Sequence, residues 1–288
     1  MSLPVAPEGI RVESIFHPSD FSEASEVAFA HALKLALVTG AALRIMHVDP
    51  GHATHWQDFP GVRGTLERWK LIPPGSPKSA VEDLGIDVRK VLASSSHPVE
   101  ACLGFLATHP ADLIVLAVHQ REGSMRWLGK SVGGKVARKA GEVTLFIPHG
   151  VPGFVSPRDG SVSLRSILIP VTSKPRPQPS LEAAARLIRN LQLPSGIITL
   201  MHVGAPGDMP SMHPREVPGW EWKQRTEGGE PAETILRVAD EVGADLIMMT
   251  TDGPDGFLDG LRGTTSERVL RKARCPVANL PVGSQLTG

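Results

Sequence analysis

Residues 249–281, MTTDGPDGFLDGLRGTTSERVLRKARCPVANLP, carry the residue types that hold an anion with backbone groups. Gly253 and Gly263 enclose a nine-residue loop, and Thr264 and Thr265 follow it at the start of a segment with helical spacing. A glycine lets backbone N–H groups approach a phosphate oxygen, and a helix N-terminus adds further N–H groups and partial positive charge. The same residues also have a structural use. Thr264 followed by Glu267 is a capping box, and loop glycines form turns. Capping alone does not account for the spacing of the loop.

Residues 116–148, LAVHQREGSMRWLGKSVGGKVARKAGEVTLFIP, have the same length and a similar ending, with different chemistry. Ala117, Gln120 and Lys130 stand opposite Thr250, Gly253 and Gly263, and Ser131 stands opposite Thr264. A Cβ at these points hinders close backbone approach. Lys130 could meet a phosphate as a point charge, but a solvated lysine is the simpler reading. A carboxylate is distributed the other way round: Asp20 in HPSDFSE has Thr172 as its counterpart in IPVTSK. Asp20 followed by Glu23 can also cap the first helix.

These residues are placed by a repeat. SIFHPS at 14–19 returns as SILIPV at 166–171, RIMHV at 44–48 as TLMHV at 199–203, and ADLI at 111–114 as ADLI at 244–247. The last pair is offset by 133 and the earlier ones by more than 150, so the first copy carries an insertion, placed in 51–80 and read as a loop or partly helical excursion. Short apolar runs alternate with segments of helical period in both copies, which predicts parallel sheets covered on both faces. Residues 149–163, rich in Gly, Pro and Ser, read as a linker between domains at 1–148 and 164–288.

The whole chain resembles a tandem universal stress protein. That resemblance implies an α/β fold with two repeated domains, each a five-stranded parallel sheet with helices on both faces, of the adenine-nucleotide hydrolase-like type, with ligand at the carboxyl edge. Nucleotide-binding members have an aspartate after the first strand and a G-x2-G-x9-G-[ST] loop after the fourth. Carried over, the second domain's site comprises Pro170, Thr172, His202, Val203, Thr250, Gly253, Gly263, Thr264 and Thr265, with Thr250 in place of the first glycine. The first domain keeps a degenerate set, Asp20, Ala117, Gln120, Lys130 and Ser131. Gly228 and Gly229 in EGGEPAE match the family's turn after the third strand, where the first copy has SSSHPVE. The resemblance implies ATP or AMP as ligand in the second domain, a mainly structural first domain, and domains packed through their last strands as a pseudo-dimer, with homodimerisation open. A partner-binding scaffold without nucleotide is the alternative, and slow nucleotide hydrolysis is the enzyme reading with least support.

Charge and motif content narrow the rest. Thirty basic and thirty acidic residues cancel, which gives no overall field for nucleic acid or anionic lipid. No apolar run suits a membrane span, and a cytoplasmic protein is expected. Cys102 and Cys275 suggest buried hydrophobes and not a disulfide. His47 and His202 read as strand-end residues beside the cleft. His47, His52 and His55 do not fit a standard zinc spacing, and no metal is expected. There is no nucleophile elbow or HExxH helix, and GKS at 129–131 lacks the glycine five residues before Gly129 that a Walker loop needs. Trp220 and Trp222 are expected to cover a core or an interface.

Overall fold

The computed structural model describes residues 11–49, 51, 54–119, 132–252 and 264–284. In the first half β1 (Ser14–Pro18) leads into α1 (Glu23–Thr39) and β2 (Ala42–Val48). Two short helices, α2 (Val62–Arg68) and α3 (Ser79–Glu82), then precede β3 (Val88–Ala93), α4 (Pro98–Thr108), β4 (Leu113–Val118), α5 (Val132–Ala140) and β5 (Val143–Pro148). The second half repeats the plan with β6 (Ser166–Val171), α6 (Gln178–Asn190), β7 (Gly196–Val203), β8 (Trp220–Glu227), α7 (Pro231–Glu241), β9 (Leu246–Thr251), α8 (Thr265–Lys272) and β10 (Val277–Pro281).

The strands form one sheet in the order β3-β2-β1-β4-β5-β10-β9-β6-β7-β8. Neighbours within each half run parallel, as the apolar runs predicted. The halves meet where β5 and β10 pair antiparallel, with Val277 opposite Phe146 and Asn279 opposite Thr144. Strands covered on both faces need apolar residues at successive positions. All of β5 is buried, and so is Leu113–Leu116 of β4. Alternation then sorts the side chains: Ile15, Ile167 and Ile169 join a core with α1, α2 and α6, and Phe16 and Leu168 join a second core with α4, α5, α7 and α8. Both cores run through both halves.

Local signals explain most boundaries. α1 starts at Ser22, whose hydroxyl accepts from the Ser25 amide, and ends at Gly40, left-handed at φ +71. Ser22 thus takes the capping role that the sequence allowed for Asp20. The insertion supplies α2 and α3 and buries Leu66 and Trp69. The segment read as a linker is folded: Phe154 and Val155 are each 1% exposed, and Val155 bridges Val162. Trp220 is buried, its indole donating to the Leu193 carbonyl, and Trp222 donates to that of Arg215. Both cysteines are buried, and burial pushes their thiols up, Cys102 to about 11 and Cys275 to about 12. No described helix is long and apolar enough to cross a membrane.

Candidate functional site

The chain order along the sheet reverses between β6 and β9. Crossovers from such a point leave on opposite faces and open a crevice beyond the carboxyl ends of the strands. A cavity of about 510 Å³ lies there. Its lining is apolar at Pro170, Pro175, Val203 and Pro231, and at Met201, Met249 and Ile235, which are themselves buried. Thr172, Thr250 and Thr251 supply hydroxyls from the strand ends, and Thr264, Thr265 and Ser266 supply them from the start of α8. Lys174 and Asp252 add one charge of each sign.

Each polar group is held by a definite element. The Thr264 hydroxyl accepts from the Glu267 amide at 3.2 Å, which fixes the first turn of α8. The first amides of a helix lack intrahelical partners, and here that turn forms part of the cavity wall. Thr250 Oγ1 lies 2.7 Å from Ser180 Oγ of α6, which orients it, while Thr251 Oγ1 is buried without a hydrogen-bond partner. His202 Nδ1 is 3.0 Å from the Val171 carbonyl, so Nδ1–H donates there. Gly204 is required beside it, since a Cβ there would sit 2.5 Å from Nε2. Glu230 caps α7 by accepting from the Glu233 amide and forms a bidentate pair with Arg268 of α8, bracing the two helix starts that flank the cavity.

The equivalent place in the first half is built differently. Asp20 Oδ1 accepts from the Ser22 amide at 3.0 Å and from the hydroxyls of Ser22 and Ser25, each at 2.6 Å, and Oδ2 lies 3.6 Å from His119 Nε2. Burial works to raise this carboxyl's pKa, but the hydrogen bonds from Ser22 and Ser25, helped by His119, outweigh it and hold it at about 2. His47 Nδ1 bonds the Ser19 carbonyl at 2.7 Å, as His202 bonds that of Val171. The Phe21 ring, carried on a left-handed backbone at φ +60, stacks on His47 with centroids 4.0 Å apart. Phe59 of the insertion packs edge-on against Phe21, and Trp56 stacks on Phe59.

The sequence pattern of the universal stress protein family matches residues 12–145 and 215–281. The chain belongs to the universal stress protein family. A universal stress protein of Methanocaldococcus jannaschii is 43% identical over 60 residues, which span 20% of this chain and 35% of that protein. The chain thus matches about a third of that relative's length. Among solved structures, a universal stress protein from Archaeoglobus fulgidus shares 19% identity with a TM-score of 0.61, covering 95% of this chain and 97% of its own, which supports the fold. A universal stress protein solved in complex with cAMP shares 20% identity, covering 48% of this chain and 98% of its own, with a TM-score of 0.35.

The structure brings together Pro170, Thr172, His202, Val203, Thr250, Thr264 and Thr265, all of which line the cavity. In the first half it places Asp20 at the end of β1 and Ala117 within β4, opposite Ile147. Gly253, Gly263, Gln120, Lys130 and Ser131 lie outside the described residues, and so does His52. Among the described residues no group of three or more His, Cys, Asp or Glu side chains is placed to hold a metal. Sequence reasoning missed Thr251, although strand alternation puts it on the same face as Met249. It also missed His119, one residue beyond β4, and Lys174 beyond β6. Neither carries a local signal, because only the fold brings these strand ends together.

Proposed function

We propose that this universal stress protein binds an adenine nucleotide, ATP or AMP, in the second half, with the first half mainly structural and the two halves acting as a pseudo-dimer within one chain. The observation that carries this reading is the cavity at the switch point, apolar on one side and hydroxyl-rich at the N-terminus of α8 on the other. That division suits a flat base on the apolar side, beside Pro170, Val203 and Pro231, and a phosphate against the first turn of α8. The buried, unpartnered Thr251 hydroxyl supports it, because such a group gains most from a polar ligand. The first half is disfavoured because Asp20 is already engaged by Ser22, Ser25 and His119.

The test is isothermal titration of the full chain with ATP and with AMP, beside Gly263→Lys, which imitates Lys130. The expected result is one nucleotide bound per chain and binding lost in the variant. A wild-type protein that releases no heat at millimolar nucleotide would retire the reading. A second reading, a partner-binding scaffold, is favoured by one observation: Thr172 offers no carboxylate where the family has one, and Asp20, which does, is occupied.

A further inference from the structure

The segment between β5 and β6 is held on the first half by two residues that the nucleotide reading does not use. Residues 154–163 form a small hairpin: Val155 bridges Val162, Ser163 N donates to the Phe154 carbonyl, and Gly160 N donates to that of Ser156. His31 of α1 reaches its base. Nδ1 bonds the Val27 carbonyl at 2.8 Å, and Nε2 accepts from both Phe154 N at 3.0 Å and Val155 N at 3.1 Å. Trp69, at the end of α2 in the insertion, reaches its tip. The indole donates to the Pro157 carbonyl at 3.2 Å, and Arg68 donates to the same oxygen.

Two glycines make these contacts possible. A Cβ on Gly153 would lie 2.2 Å from His31 Cε1, and one on Gly160 would lie 2.5 Å from Trp69 Cδ2; both glycines are left-handed at φ +70. The Gly, Pro and Ser content that reads as a loose linker therefore serves close approach to two rings. Lys34 of α1 and Asp159 near the hairpin tip attract one another as well.

What the hairpin controls follows from the joint between the halves. β5 and β10 are counterparts in the repeat, and they pair antiparallel through Phe146–Val277, Leu145–Ala278 and Thr144–Asn279. Two chains could make the same joint by exchanging halves, with no change in the contacts at the sheet. Only the connection between Pro148 and Ser166 distinguishes closure within a chain from exchange. Unfolded, it would reach on the order of 50 Å; folded back as a hairpin, it keeps the halves at high effective concentration for one another.

We infer that the 51–80 insertion and His31 form a clasp that holds the interdomain hairpin on the first half and so keeps the β5–β10 joint within one chain. Releasing the hairpin replaces a preorganised connection with a flexible one, which lowers the effective concentration of the halves for one another and lets exchange between chains compete at high protein concentration.

The test uses the full chain with Trp69→Ala and, separately, Gly160→Val. Each protein is unfolded, refolded at low and high protein concentration, and sized by light scattering, with amide hydrogen exchange followed over 154–163. The expected result is exchange about tenfold faster at the Phe154, Val155 and Ser163 amides, with a dimer share that rises with refolding concentration above that of wild type. Should Trp69→Ala not refold, Trp69→Phe keeps the packed ring and deletes only the donor to Pro157; it should give a smaller shift in the same direction. Faster exchange with the wild-type mass distribution would overturn the inference and reduce the contacts to local packing. Unchanged exchange in every variant that folds would overturn it too.

Discussion

At the carboxyl ends of β1 and β6 one equivalent position carries Asp20 in the first half and Thr172 in the second, and the surroundings differ with it. Around Asp20 stand Ser22 and Ser25, which donate to the carboxylate, and His119, whose Nε2 lies 3.6 Å from it. Around Thr172 a cavity of about 510 Å³ stays open. The same motif position serves the start of α1 in one half and borders the cavity in the other. One oxygen of the Asp20 carboxylate is engaged by its own chain, so the presence of the carboxylate does not by itself mark a ligand site.

The contrast extends into the core, where it should have its largest consequence. His17 on β1 is the counterpart of Ile169 on β6, and it is buried with Nδ1 on the Val115 carbonyl and Nε2 unpartnered. His31, on α1, is buried as well. Burial lowers both rings from 6.5 to about 4, against smaller opposing effects of their backbone hydrogen bonds. Between those values the unfolded chain binds more protons than the folded one, so stability is complete above about pH 6.5 and falls as pH drops toward 4. Each histidine contributes at most about 3 kcal/mol over that window. Replacing His17 by Ile, the residue of the other half, should therefore flatten the loss between pH 7 and pH 5, as read from urea midpoints. A variant that loses as much stability as wild type over that range would show that His17 is not the acid-sensitive group.

The next effect concerns the ligand and rests on the nucleotide reading. Thr172→Asp restores the carboxylate in the half whose cavity is open, where Lys174 and Asp252 line the same cavity in place of the serines and His119. A hydrogen bond from a nucleoside hydroxyl to a charged acceptor contributes about 1.5 kcal/mol or more, so affinity for AMP should rise about tenfold. Titration calorimetry checks it. Unchanged affinity would mean that the ligand does not reach the end of β6, and would move the comparison in favour of a scaffold.

Much of this was legible in the residues. The repeated apolar runs gave the strands, and Gly40 and Thr264 marked helix ends by chemistry that acts over a few positions. The cavity residues at strand ends, Pro170, Thr172, His202 and Val203, followed from the repeat and the family resemblance together. What escaped depended on contacts between distant segments. The composition of 149–163 suits a flexible tether as well as a hairpin packed under two rings, and only the positions of His31 and Trp69 decide between them. Asp20 could be read as a cap because Glu23 follows at the right spacing; Ser22, with Ser25 three residues on, lacks that glutamate but lies next to the helix, so it takes the role.

The smallest effect returns to Asp20 and shows what its charge does. Asp20→Asn keeps an oxygen for the Ser22 and Ser25 donors and removes the charge that faces His119. The folded-state pKa is about 2 against an ordinary value of 3.8, so the carboxylate's contribution is present above about pH 3.8 and disappears as pH falls through 2. The full shift would correspond to about 2.4 kcal/mol, but the side chain is 59% exposed, and solvent screening brings the expected cost nearer 1 kcal/mol at pH 7. Chemical denaturation of Asp20→Asn beside Ser25→Ala measures it. If Asp20 serves the start of α1, both variants should lose a similar amount and leave nucleotide binding unchanged. A variant that keeps its stability and loses nucleotide binding would instead assign Asp20 to a ligand, and the division between the two halves would have to be redrawn.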